Sequence, residues 1–244
     1  MDNIIKSGKI KQFIKEDFYT NILGKNDASY KYQYNRKGRN MQENFKLIEG
    51  LNIENTLGVK SSYIKVNDSE ISCVISAEKI KSIISKAVKL IKKPYFFIEV
   101  PCTEAQEAEL SKNGDNGLHL QLYNLEVTTK VADAILKRYG DLLINDGVTN
   151  FGFGSLETET EIYVMPFQSI MFYNQNNITV FEKILNDFNI IKTSNKDYIS
   201  IDSLISKENP ADRVLVELNG ETVFDVIDSL QDEGLTACDI IKEN

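Results

Sequence analysis

The clearest alternation of apolar and polar positions lies between Ser76 and Pro94. Lysines occupy many positions of this segment. The apolar residues recur at intervals of three and four: Ile80, Ile83, Ile84, Ala87, Val88 and Ile91. This spacing puts the apolar side chains on one stripe of a helix. We predict a helix that Ser76 caps and Pro94 ends. Its stripe has no Trp or Phe, which favours packing in a core over binding to an anionic membrane surface.

Four further segments have helical features, at about residues 103–112, 128–145, 180–188 and 223–230. Thr103 with Gln106 three residues later is a capping-box pattern that opens an acidic helix. Thr222 and Asp225 have the same spacing ahead of the last segment, which Gly234 ends. The pattern therefore predicts five helices.

Strand-like segments lie before the first helix and between the others. Residues 30–35 alternate tyrosines with polar residues, and residues 95–100 form a continuous apolar run. Further strands are predicted at about 118–123, 148–155, 159–165, 167–173 and 214–218. The links between the strands from 148 to 173 are too short for a helical crossover, so these strands should be antiparallel. We predict an α+β fold with a short, largely antiparallel, mixed sheet and interspersed amphipathic helices.

The segment Phe151-Gly152-Phe153-Gly154-Ser155 has the glycine content of a phosphate-binding loop. It has no Lys followed by Ser or Thr, and no clear helix pattern follows it, so the phosphate- and dinucleotide-binding motifs are not met. We interpret it as a strand with both phenylalanines on one face and the glycines on the other. Glycines in a strand permit the close approach of a neighbouring group.

The bulk composition is that of an ordinary globular protein. A chain of 27.7 kDa can bury a sizeable core without a metal or a disulfide. The three cysteines, Cys73, Cys102 and Cys238, are far apart in the sequence, which fits a reducing compartment. The N-terminus lacks the apolar segment of a signal peptide, so we expect a cytoplasmic protein without a membrane span.

Charge is divided unevenly along the chain. Residues 1–93 hold 18 Lys and Arg against 10 Asp and Glu, whereas residues 94–244 hold 10 against 26. This division indicates a basic N-terminal α+β segment, 1–93, and an acidic α+β domain, 94–244, or else one continuous domain with that polarity. The acidic part should attract a basic partner and repel nucleic acid.

Catalytic candidates are few. Cys102 follows an apolar strand and precedes a predicted helix, a position that can activate a thiol, and His119 is the only histidine available as its base. Clustered carboxylates such as Glu157, Glu159 and Glu161 are the other route to a hydrolase. No motif indicates a cofactor or a metal ion. The sequence therefore favours a protein without catalytic activity, with a hydrolase as the alternative.

Nucleic-acid binding is a second alternative. The tyrosines of residues 30–34 could stack on bases while Arg36, Lys37 and Arg39 contact phosphates. The excess of positive charge over residues 1–93 is smaller than nucleic-acid-binding domains usually carry.

The function that these observations favour is binding of a basic protein surface by an acidic one. We expect the acidic surface to include Glu157, Glu159, Glu161, Asp228, Asp232 and Glu233. The first three are expected to alternate along one strand and so share a face. A specific form of this hypothesis is a bacterial immunity or antitoxin-type protein that neutralises a basic toxin domain. Oligomeric state is left open by the sequence.

Overall fold

The structure, a computed structural model, describes residues 45–242. The predicted strand at residues 30–35 and the basic residues Arg36, Lys37 and Arg39 lie outside this range. Five α-helices occur in the described range: α1 (Ala77–Val88), α2 (Glu104–Lys112), α3 (Thr129–Asn145), α4 (Thr179–Asp187) and α5 (Val223–Gln231).

Eleven strands occur in the same range: β1 (Leu51–Ile53), β2 (Ser62–Asn67), β3 (Glu70–Val74), β4 (Tyr95–Pro101), β5 (His119–Glu126), β6 (Asn150–Ser155), β7 (Thr160–Val164), β8 (Ser169–Asn174), β9 (Ile191–Lys192), β10 (Ala211–Arg213) and β11 (Thr236–Lys242). The predicted α+β class is confirmed.

Nine of these strands form one sheet in the order β11-β5-β4-β6-β7-β8-β3-β2-β9. All neighbouring pairs are antiparallel except β2 with β9. β1 and β10 form a separate antiparallel pair. The predicted antiparallel run from residue 148 to 173 is therefore confirmed, as β6, β7 and β8.

The predicted division at residue 94 falls between α1 and β4. Strands from both sides of it, such as β3 and β4, belong to the nine-stranded sheet. Because residues 1–44 lie outside the described range, the proposed basic segment 1–93 stays a prediction.

One face of the sheet packs against the helices and forms the apolar core. It presents alternate strand residues such as Phe96, Ile98, Phe151 and Phe153, all with no exposed surface. The stripe of α1 packs here as predicted: Ile80, Ile83, Ile84, Ala87 and Val88 are buried. No helix in residues 45–242 is long and apolar enough to cross a bilayer.

The opposite face combines aromatic and polar side chains that are also buried. Phe97 and Tyr163 pack with ring centroids 5.5 Å apart. Glu99 is fully buried, and one of its carboxylate oxygens accepts hydrogen bonds from the Tyr163 hydroxyl at 2.6 Å and the Asn150 amide at 3.0 Å. A buried carboxylate is tolerated because donors of this kind replace water.

The glycines of β6 lie on that polar face, as the sequence predicts, and both phenylalanines face the core. A Cβ added at Gly152 would lie 2.3 Å from the Phe97 ring and 2.2 Å from the Ile162 carbonyl oxygen. A Cβ on Gly154 would lie 2.4 Å from the Tyr95 hydroxyl. The glycines therefore make room for neighbouring aromatic rings and for backbone.

Helix boundaries set by local signals are close to the prediction. Thr103 and Gln106 form a capping box at the start of α2, and Thr222 and Asp225 form another at the start of α5. The predicted end of the first helix is wrong, since α1 stops at Val88, well before Pro94. Ile91 still packs in the core although it lies beyond the helix.

The predicted strand at residues 214–218 is also wrong. β10 ends at Arg213, and the following backbone bonds to loops instead of to a strand. The Val214 N–H donates to the Gly50 carbonyl at 2.9 Å, and the Val216 N–H donates to the Asp146 carboxylate at 2.8 Å. The apolar residues of this segment lie in a loop. Alternation of apolar and polar residues alone does not distinguish such a loop from a strand.

Candidate functional site

A cleft of about 670 Å³ opens where β4 ends and β5 begins. Its walls come from the start of α2, from β5, from the loop after α3 and from β10. The residues that line it are Pro101, Cys102, Glu104, Glu107, Leu118, His119, Val148, Ala211, Asp212 and Arg213. The cleft thus gathers both candidates that sequence reasoning named for catalysis.

Cys102 and His119 are neighbours because β4 and β5 are antiparallel. Pro101 pairs with Leu120, and the Cys102 N–H donates to the His119 carbonyl at 2.9 Å. Directly opposed residues of an antiparallel pair project to the same face. The sequence places these residues far apart and gives no signal for this register.

The His119 imidazole lies between two carboxylates. Its Nδ1 is 2.8 Å from Glu107 Oε2, and its backbone N–H donates to Glu107 Oε1 at 2.7 Å. Its Nε2 lies 3.2 Å from Asp115 Oδ2, an ion-pair contact without the alignment of a hydrogen bond. Asp115 also binds Lys242 of β11 at 2.9 Å. Because His119 is only 2% exposed, its polar atoms depend on these protein contacts and not on bulk water.

The electrostatics of this cluster follow from the contacts. The hydrogen bond to Glu107 raises the pKa of His119 against the opposing effect of desolvation, and Asp115 adds to the increase. The same bond lowers the pKa of Glu107, while the bond to Lys242 is the main cause of the lowered pKa of Asp115. The arrangement therefore favours an imidazolium between two carboxylates.

Cys102 is not activated by this environment. Burial raises the pKa of its thiol, and the negative charge of Glu107 raises it further. A nucleophilic thiol needs a lowered pKa or a free base beside it. Here both ring nitrogens of His119 contact carboxylates, so the ring forms ion pairs and is not a free base for the Cys102 thiol.

The structure separates the three glutamates that were expected to share a strand face. β7 begins only at Thr160, and Glu159 has a left-handed backbone with φ 45°. Glu157 is exposed in the turn and pairs with Lys93 at 2.5 Å. Glu161 is 3% exposed and accepts a hydrogen bond from Tyr95. The prediction of one outward glutamate face is therefore wrong, because a turn interrupts the alternation.

The other predicted acidic residues lie together at the end of α5. Asp228 is on the outer side of the helix, and Asp232 and Glu233 follow its last turn; all three are exposed. None of them makes an ion pair with any other residue in the described part of the chain. We call these three residues the α5 acidic surface.

Some residues of the cluster around His119 have no signal in the sequence. Glu107 from a helix and Asp115 from a loop contact His119, and Lys242 from the last strand pairs with Asp115. Their meeting depends on the pairing of β5 with both β4 and β11. Within residues 45–242, no group of three or more His, Cys, Asp or Glu side chains is arranged to hold a metal ion.

Comparison with known proteins adds no assignment: no protein-family model, curated protein or solved structure gives a significant match to this chain.

Proposed function

We propose that this protein binds a basic protein partner through the α5 acidic surface and that it does so without catalysis. The observation that carries the proposal is the set of three exposed carboxylates, Asp228, Asp232 and Glu233, that have no cationic partner within the described residues. Some other exposed acids, such as Glu157 and Asp141, are instead paired with lysines. Unpaired surface charge of one sign attracts an oppositely charged protein and accelerates encounter.

The position of these carboxylates supports a role in binding. The C-terminal end of a helix carries partial negative charge, so acids there lower helix stability. The last turn of α5 contains no basic residue that would offset this effect. A binding surface can retain residues that reduce stability, because stability and function can oppose each other at such a site.

The narrower proposal is that the partner is a toxin domain and that the protein is a bacterial immunity or antitoxin-type inhibitor. It is motivated by the acidic surface and by the unactivated thiol of Cys102. A basic protein encoded next to this one would be the natural partner to test.

The hydrolase alternative is weaker. The cleft brings Cys102 and His119 together, but Glu107 and Asp115 occupy the ring nitrogens of His119 and the pKa of Cys102 is raised. The nucleic-acid alternative concerns Arg36, Lys37 and Arg39, which lie outside the described residues, so it stays a prediction.

The test uses a basic probe of defined charge, polylysine of fixed length, whose binding is measured by calorimetry over a range of salt concentrations. We expect the triple variant Asp228→Asn, Asp232→Asn, Glu233→Gln to bind several-fold more weakly at low salt. We also expect a smaller salt dependence, because fewer ion pairs form. A purified basic neighbour would replace polylysine when one is identified.

The control removes the same charge elsewhere. Glu49, Glu104 and Glu109 are exposed, so their triple replacement by Gln changes net charge equally without altering α5. Equal weakening by both triple variants would contradict the proposal, because net charge alone would then explain binding. Binding that does not depend on salt would contradict it as well.

A further inference from the structure

The connection between β4 and β5 is far longer than its topology requires. These strands are adjacent and antiparallel, a relation that a two-residue turn can achieve. Residues 102–118 instead form an excursion that contains α2. Segments that connect strands over the surface of a domain often carry binding or catalytic residues.

Helix α2 has no anchor in the apolar core. None of its residues is buried, whereas α1, α3, α4 and α5 each bury an apolar stripe. Polar contacts hold it instead. The Gln106 side chain donates a hydrogen bond to Gln121 at 2.9 Å, and the Glu107 carboxylate contacts both the backbone N–H and the ring of His119. A surface helix without apolar packing is only marginally stable alone.

Distinct backbone features mark the two ends of the excursion. At its start, Cys102 bonds to His119 through the backbone, and the capping box begins at the next residue. After the helix, Gly114 and Gly117 adopt φ of 85° and 136°, values that other residues rarely adopt. Asp115 lies between these glycines and contacts His119 and Lys242.

We propose that α2 and the loop after it form a lid over the cleft and that the contact between Glu107 and His119 holds the lid closed. Glu104, Glu107 and Leu118 of the lid line the cleft together with Arg213 on β10. Opening the lid would uncover Cys102 and the carboxylates that now face His119. This lid is separate from the α5 acidic surface and does not depend on the proposed function.

The charges around His119 make the closed state sensitive to pH. The groups that face it are Glu107 from α2, Asp115 from the loop, Cys102 from the end of β4 and, through Asp115, Lys242 from β11. These contacts raise the pKa of His119 and lower the pKa values of Glu107 and Asp115, so closure is strongest between the ordinary carboxyl pKa values and the ordinary histidine pKa. It weakens as pH rises through the raised value, because the neutral ring loses its charge-assisted contacts.

Hydrogen exchange on the full chain tests the proposal. Glu107→Ala removes both contacts to His119 and places a strong helix former in α2, so a loss of protection would not reflect helix propensity. We expect amides of residues 104–118 to exchange about tenfold faster or more, with β6 and β7 unchanged. Glu109→Ala is the matched control, since this exposed residue of α2 makes no side-chain contact to the sheet within the described residues.

Unchanged exchange in Glu107→Ala would overturn the proposal, and so would an equal increase throughout the sheet. His119→Gln is the second variant. In the native protein, exchange of residues 104–118, corrected for its intrinsic pH dependence, should rise above the ordinary histidine pKa. In His119→Gln this rise should be absent. A rise that persists in the variant would exclude His119 as the titrating group.

Discussion

At the scale of single residues, the most constrained polar group of the sheet is the Glu99 carboxylate. It has no exposed surface, and its Oε2 accepts hydrogen bonds from Tyr163 on β7 and Asn150 on β6. A buried acceptor that loses a donor keeps its desolvation cost, so each of these bonds contributes to stability.

We therefore expect Tyr163→Phe to lower the free energy of unfolding by about 1–3 kcal/mol, measured by urea denaturation. The matched control is Tyr173→Phe on the adjacent strand, where the hydroxyl bonds to the exposed Gln175 and the expected change is below about 0.5 kcal/mol. Equal effects of the two substitutions would show that Glu99 does not depend on the Tyr163 hydroxyl.

Residue-level predictions from sequence succeed where the cause is local. The glycines of β6 alternate with phenylalanines, and the pleat alone puts them on opposite faces. The cluster around His119 is different, since Glu107 and Asp115, which contact the ring, and Lys242, which pairs with Asp115, come from three other segments. Only the register of β5 against its neighbours brings them together, and no short-range pattern encodes that register.

At the scale of elements, the two acidic helices contrast in where their charges lie. In α2, Glu104 and Glu107 occupy the first turn, where acids complement the helix dipole. In α5, Asp225 in the first turn is favourable, but Asp232 and Glu233 follow the last turn, where acids oppose the dipole. Only the second arrangement lowers stability.

Neutralising the end of α5 by Asp232→Asn with Glu233→Gln should therefore raise the free energy of unfolding by about 0.3–1 kcal/mol at low salt. Urea denaturation at low and high salt measures this gain, which should shrink as salt screens the dipole. Glu104→Gln is the control at the other end of a helix. It removes an acid from the first turn of α2 and should lower the free energy of unfolding slightly. No gain in the α5 variant would remove the stability argument for the acidic surface.

Element boundaries show the same division between local and distant causes. Both capping boxes mark the starts of α2 and α5 correctly, because the signal lies within four residues. The predicted end of α1 and the predicted strand at residues 214–218 are wrong, and tertiary bonds explain the second of these errors. The Val216 N–H, for example, bonds to Asp146, a residue distant in sequence.

At the scale of the whole molecule, β11 is the outermost strand next to β5, and no described strand pairs with its other edge. The pattern of apolar and polar residues does not predict β11, because a register shift between Ala237 and Asp239 interrupts its alternation. This bulge in β11 also affects how the exposed edge of the strand can pair. Exposed strand edges invite pairing with other chains, and bulges and charged residues on the edge prevent it.

Asp239 is the residue on which this protection depends most directly. Its carboxylate accepts the Ile240 N–H at 2.9 Å, and its carbonyl accepts from Gln121 at 2.8 Å, so groups near the bulge are already bonded within the chain. Replacing Asp239 by Val would free the Ile240 N–H, remove a charge and raise strand propensity. Each change favours pairing with a second copy.

We expect Asp239→Val to associate with increasing protein concentration, measured by light scattering after size-exclusion chromatography, under conditions where the native chain shows less association. Asp228→Val is the matched control: it removes the same charge and adds the same apolar side chain on α5, away from the strand edge. Association of both variants would point to lost surface charge as the cause. Association of Asp239→Val alone would assign the protection to the edge of β11, and association of neither would show that the bulge suffices without the carboxylate.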